Sequence, residues 1–121
     1  MIRVAIVDDH AIVRTGLRHF FSEHVDLQVT GEAANGREAV DLARDHHPDL
    51  IILDMMMPVM SGYEAIAELR ADDATCTIPI VGLSAKAMAT DMERATDVGI
   101  DGYITKPFRI AQVLSVIEGY L

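Results

Sequence analysis

The sequence predicts an α/β protein in which five strands alternate with five helices, forming one open, doubly wound parallel sheet covered on both faces. Three observations carry this. The runs "RVAIV", "LIILD" and "IPIVGLS" are short, continuous and rich in branched apolar residues, as strands buried on both faces are. The segments between them repeat apolar residues at helical spacing. Capping signals stand where those helices should begin and end.

In chain order, "RVAIV" is the first strand. Val13, Leu17, Phe20 and Phe21 mark the first helix at i, i+4, i+7 and i+8. "LQVTGEA" is more polar and reads as an edge strand. Asn35 with Glu38 opens a second helix marked by Ala39, Leu42 and Ala43. "LIILD" is the third strand. Ser61 with Glu64 opens a third helix marked by Ile66 and Leu69. "IPIVGLS" leads to a fourth helix at Met88, Met92 and Ala95, which Gly99 stops. "GYIT" is the last strand, and Ile110, Val113, Leu114, Ile117 and Leu121 mark the fifth helix. No internal repeat or linker interrupts the pattern, so residues 1–121 read as one domain.

Composition narrows the function. Half of the 121 residues are hydrophobic, which suits a globular domain with its own core. A net charge of -9 and a pI near 4.8 argue against nonspecific binding to nucleic acid or an anionic membrane. The single cysteine, Cys76, excludes an internal disulfide and suits a reducing, cytoplasmic setting as an inert thiol between a helix and a strand. No apolar run approaches membrane-spanning length, and "MIRVAIVDDH" turns acidic too early for a signal peptide.

The apolar run "IILDMMMPVM" breaks on one carboxylate, Asp54, which is costly to bury unless something pairs with it. In open α/β sheets ligands bind beyond the carboxyl ends of the strands, where strand order reverses. With the flavodoxin-like order 2-1-3-4-5, taken by analogy and not from periodicity, that point lies between strands one and three. Strand one ends in Asp8 and Asp9, and strand three ends in Asp54, so the acidic tips fall side by side. A single aspartate there reads as a solvated strand end. Three crowded together repel one another and call for a cation. An all-oxygen set without cysteine or histidine at ligand spacing suits Mg²⁺ before Ca²⁺ and argues against zinc. Strand four ends in the hydroxyl of Ser84, and "GYITKP" brings in Lys106. Carboxylates, a divalent ion, a hydroxyl and a lysine form a site for a phosphoryl group, with one carboxylate as nucleophile.

The set Asp8-Asp9, Asp54, Ser84, Tyr103 and Lys106-Pro107, in this order and spacing, resembles the receiver domain of two-component response regulators, and the match covers essentially the whole chain. The resemblance implies that Asp54 accepts a phosphoryl group from a sensor histidine kinase or a histidine phosphotransfer protein, giving an acyl phosphate. It implies Asp9 as a direct ligand of Mg²⁺, Asp8 as a ligand largely through water, and Asp54 and the backbone carbonyl of Met56 as further ligands. Lys106 would pair with Asp54 at rest and with a phosphoryl oxygen afterwards. Ser84 matches the switch hydroxyl, and Tyr103 the switch aromatic that turns into the space Ser84 leaves. Lys106-Pro107 resembles the family's cis peptide. The face of the fourth helix, fifth strand and fifth helix would then bind a downstream protein or a second copy of an otherwise monomeric chain. On this reading the protein is no enzyme beyond promoting its own phosphorylation and dephosphorylation. The family's fast-resetting members carry an amide and an acid at the positions of Met56 and Lys86, so a longer-lived phosphorylated state is expected here.

Other residues read more plainly. His10 borders the acidic pair and could touch the site, but reads better as a solvent-facing helix start. His46 and His47 are adjacent, so on a helix they point apart, which disfavours shared metal binding. Met55, Met56 and Met57 read as core and loop filling, and Gly62 as a backbone turn. An alternative is a Mg²⁺-dependent phosphatase-like enzyme with an aspartate nucleophile, but its second acid would fall at Met56. A flavodoxin would need a hydroxyl-rich phosphate loop after strand one, where Asp8 and Asp9 repel phosphate. The start "DDHAIVRTGLR" resembles receivers joined to helix-turn-helix DNA-binding domains, while the later half resembles stand-alone or hybrid-kinase receivers. A single-domain regulator and an excised fragment both fit.

Overall fold

The computed structural model describes residues 2–84, 99–105 and 110–119. Its elements are β1 (Ile2–Val7), α1 (Ala11–Ser22), β2 (Leu27–Ala33), α2 (Gly36–His46), β3 (Leu50–Asp54), α3 (Gly62–Ala71), β4 (Ile80–Ser84), β5 (Gly102–Thr105) and α4 (Ile110–Glu118). The helix marked by Met88, Met92 and Ala95 lies outside the described residues, as do Lys86, Lys106, Pro107 and Leu121, so α4 is the fifth helix of the sequence.

All four strand pairings are parallel and the order is β2-β1-β3-β4-β5, as expected. β2 is an edge strand, which accounts for its polar makeup. Its register with β1 shifts between Val4 and Ala5, where Thr30 is passed over. Strand alternation splits the core in two. Ala5, Val7, Ile51, Leu53 and Ile80 pack with Val40, Ile66 and Leu69 of α2 and α3. Val4, Ile6, Leu50, Ile52, Val81 and Leu83 pack with Leu17 and Phe21 of α1 and Val113 and Ile117 of α4. The continuous apolar run of β3 follows directly, since every residue from Leu50 to Asp54 is buried.

Both predicted caps form, in different ways. Ser61 Oγ accepts the Glu64 N–H at 3.3 Å while Glu64 Oε1 accepts the Ser61 N–H at 3.4 Å, a reciprocal capping box. Asn35 Oδ1 accepts the Glu38 N–H at 2.9 Å, but Glu38 Oε1 accepts from Ala34, one residue before the cap. The expectation for His46 and His47 needs correction. α2 ends at His46, and His47 is its left-handed cap at φ 46°, so the two do not share a helix. Their carbonyls instead accept the Arg3 guanidinium. Cys76 is a free thiol in the turn between α3 and β4.

Candidate functional site

The carboxyl ends of β1 and β3 are neighbours, since Val7 pairs with Leu53. The chain leaves β1 into α1 and β3 into α3, which pack on opposite faces of the sheet, and this opens a crevice at the reversal point. Asp8 prolongs the ladder past β1, its N–H donating to the Ala33 carbonyl at 3.1 Å. It is fully buried, and Asp9 beside it is exposed. Asp54 is the last residue of β3 and only 3% exposed. One of its oxygens, Oδ1, accepts the Met56 N–H at 3.1 Å, which steers the carboxylate and turns the chain away from the sheet.

That turn is tightly built. Met55 N–H donates to Leu83 O at 2.9 Å, and Gly62 N–H donates to Met55 O at 3.1 Å. A Cβ on Gly62 would stand 2.6 Å from the Asp54 carbonyl oxygen and 2.6 Å from Met55 Cα. Only glycine lets α3 begin this close to the end of β3. The three methionines part company: Met55 is completely buried, Met57 packs at the core's edge, and Met56 is 69% exposed. Met56 therefore does not fill the core, as its sequence reading allowed.

Ligand-capable atoms of Asp8, Asp9, His10 and Asp54 all lie within 4.8 Å of one another. His10 stands at the start of α1, as expected. Its ring does face solvent, yet Nδ1 lies 3.0 Å from Asp8 Oδ1 and 3.2 Å from Asp9 Oδ1. Its place beside the acidic pair left such a contact open, and how the chain turns out of β1 makes it. Ser84 is buried at the end of β4, next to the Asp54 strand. Tyr103, on β5, is partly buried against the core on the α2–α3 face. Lys106, the expected cation of the site, lies outside the described residues. The hard oxygen donors of Asp8, Asp9 and Asp54, gathered at a single point, fit a divalent ion such as Mg²⁺.

Comparison with known proteins agrees with this geometry. The model of the response regulator receiver domain matches residues 4–118. The transcriptional regulatory protein PdtaR of Mycobacterium tuberculosis is 39% identical over 116 residues, covering 96% of this chain and 55% of that protein. The chain thus spans about half the length of several curated relatives it matches. The chemotaxis protein CheY of Halobacterium salinarum is 35% identical over 119 residues, covering 98% of this chain and 96% of that one. Among solved structures, chemotaxis protein CheY4 of Vibrio cholerae superimposes with a TM-score of 0.92 at 30% identity, covering 100% of this chain and 99% of that one. The receiver domain of sensor histidine kinase PA1611 from Pseudomonas aeruginosa, with a magnesium ion coordinated in its active-site cleft, does so at 0.88 and 28% identity, covering 98% and 96%.

The chain belongs to the response regulator receiver domain family of two-component systems. Receiver domains bind Mg²⁺ at an acidic pocket, and they act with histidine kinases and other protein partners. The phosphatase alternative draws no support from any of these matches. Among the described residues, no helix is long and apolar enough to cross a membrane.

Proposed function

We propose that Asp54 is the phosphoacceptor of this receiver, taking the group from a sensor histidine kinase or a histidine phosphotransfer protein. The observation that carries this is the buried Asp54 carboxylate converging with those of Asp8 and Asp9 where the strand order reverses. An Asp54 oxygen attacks phosphorus, the bond from phosphorus to the donor nitrogen breaks, and an acyl phosphate forms on Asp54. The Met56 N–H already aims that carboxylate. Asp8, Asp9, Asp54 and the Met56 carbonyl would hold Mg²⁺, whose charge neutralises phosphoryl oxygens when it is bound. Lys106 would supply the cation that meets the phosphoryl group, the role the family resemblance implies for it.

Ser84 and Tyr103 carry the signal outward: the hydroxyl moves to the phosphoryl group and the ring follows into the space it leaves. Phosphorylation thereby favours one of two arrangements of the face that includes β5 and α4, which takes up a downstream protein or a second copy. On this reading residues 1–121 are a cytoplasmic phosphoacceptor domain that catalyses only its own phosphorylation and dephosphorylation.

The test uses acetyl phosphate with Mg²⁺ and mass spectrometry. The chain should gain one phosphoryl group that hydroxylamine removes, and Asp54→Asn should gain none. Lys106→Ala should still be phosphorylated yet signal poorly. Equal uptake by Asp54→Asn would sink the assignment. Beryllofluoride should shift backbone resonances of β5 and α4, and changes confined to α1 and α2 would contradict the switch.

A further inference from the structure

We infer that His10 is an additional donor at the metal site, widening its choice from oxygen-seeking ions towards divalent ions that accept imidazole, such as Mn²⁺, Co²⁺ and Ni²⁺. This rests on the proposed metal site of Asp8, Asp9 and Asp54. His10 is the N-cap of α1, a position usually held by a side chain that accepts a helix N–H. Its backbone has the extended cap conformation, φ -94° and ψ 110°, but its side chain makes no capping bond. The ring turns back to the acidic tip instead, with Nδ1 at 3.0 Å from Asp8 Oδ1 and 3.2 Å from Asp9 Oδ1. The His10 N–H also donates to Asp8 Oδ1 at 2.8 Å, so imidazole and carboxylate are held in one fixed relation.

Two adjacent donors on an octahedral ion with bonds of about 2.1 Å stand about 3.0 Å apart. The separations from His10 to both aspartates match that spacing. An Nδ1–H hydrogen bond to Asp8 has the same length, and the two roles part only when the ion chooses between oxygen and nitrogen. Mg²⁺ keeps oxygen ligands and water, whereas ions later in the first-row series gain strongly from imidazole. The ring is 64% exposed, so an ion reaches it from solvent without disturbing the core.

The experiment measures Mg²⁺ and Ni²⁺ affinities of the whole chain by calorimetry at one fixed pH. It compares the parent with His10→Ala, His10→Gln and Asp9→Asn, and adds pulsed electron paramagnetic resonance of the one-to-one Mn²⁺ complex. His10→Ala should weaken Ni²⁺ about tenfold, leave Mg²⁺ within about twofold, and abolish the imidazole nitrogen coupling to Mn²⁺. His10→Gln, which keeps a hydrogen-bond donor, should lose Ni²⁺ affinity like His10→Ala. Equal losses for both ions, or recovery of both in His10→Gln, would make His10 a hydrogen-bonding residue and overturn the inference. So would Mg²⁺ binding that Asp9→Asn removes while Ni²⁺ binding ignores His10→Ala; the phosphoacceptor reading would then stand. Divalent binding indifferent to Asp9→Asn would overturn the inference and the proposed metal site together.

Discussion

Arg70 Nη2 lies 2.8 Å from Asp101 Oδ2, and the same guanidinium donates to the carbonyls of Cys76, Ile78 and Gly99. Asp101 Oδ2 in turn accepts the Ile80 N–H at 2.8 Å. The pair joins the end of α3, the approach to β4 and the approach to β5, so it holds the two strands that present Ser84 and Tyr103. No sequence signal marks Arg70, since an arginine in the last turn of a helix reads as a solvated cation.

Arg70→Ala should therefore cost about 2–3 kcal/mol, because several carbonyls lose a charged donor together. Arg70→Lys should recover little, since an ammonium lacks the planar fork that reaches acceptors on both sides. Urea denaturation checks this, and a loss no larger than that of an ordinary surface substitution would contradict it.

Gly62→Ala should destabilise the fold by about 1–3 kcal/mol, because both close contacts of the added methyl are backbone atoms that cannot swing aside. Since one of those atoms is the Asp54 carbonyl oxygen, Mg²⁺ affinity should fall as well. A magnesium titration of the folded variant reads this directly, and unchanged affinity would separate the turn from the site.

Val59 adopts φ 69°, with Met60 N–H donating back to Pro58 O at 2.7 Å. A β-branched residue in that left-handed region is strained by about 1–2 kcal/mol. The residue is 83% exposed, so little packing is lost on removing its side chain. Val59→Gly should stabilise the chain by about 0.5–1 kcal/mol after the entropic cost of glycine. A lower melting temperature would refute the strain.

The Asp72 carboxyl is held below its ordinary range, first by the Ala74 N–H and then by the Arg44 guanidinium 2.8 Å away. A depressed folded-state pKa contributes stability above the unfolded value of 3.8 and loses it as pH falls through the folded one. Asp72→Asn should melt slightly below the parent at pH 7, the gap closing as acid protonates Asp72. Solvent screening keeps the effect small. Melting curves from pH 7 to pH 3 that stay equally separated would exclude this linkage.

The acyl phosphate should persist longer than in fast-resetting receivers. Exposed Met56 offers no group to orient a water, and Lys86 is a cation at neutral pH, so it cannot serve as a base. Met56→Asn/Lys86→Glu should lose its phosphoryl group faster in excess Mg²⁺. A double variant that decays no faster than the parent removes these side chains from control of the water.

Local pattern in the chain was enough for the order of the described elements, the bounds of β2, β3 and β5, and the acidic strand tips, because alternation, helical spacing and capping are local properties. The receiver family was legible too, since its polar residues stand at strand ends whose spacing survives in one dimension. Strand order came only by analogy, because pairing joins residues far apart, and tertiary structure decided it. Tertiary structure also decided the turn of His10 onto Asp8 and Asp9, the exposure of Met56 beside a buried Met55, and the reach of Arg70 to Gly99 and Asp101. The reach of Arg70 depends on where separately folded segments meet, and the placing of His10 and Met56 on how the chain turns out of its strand; a periodicity within one segment carries no information about either.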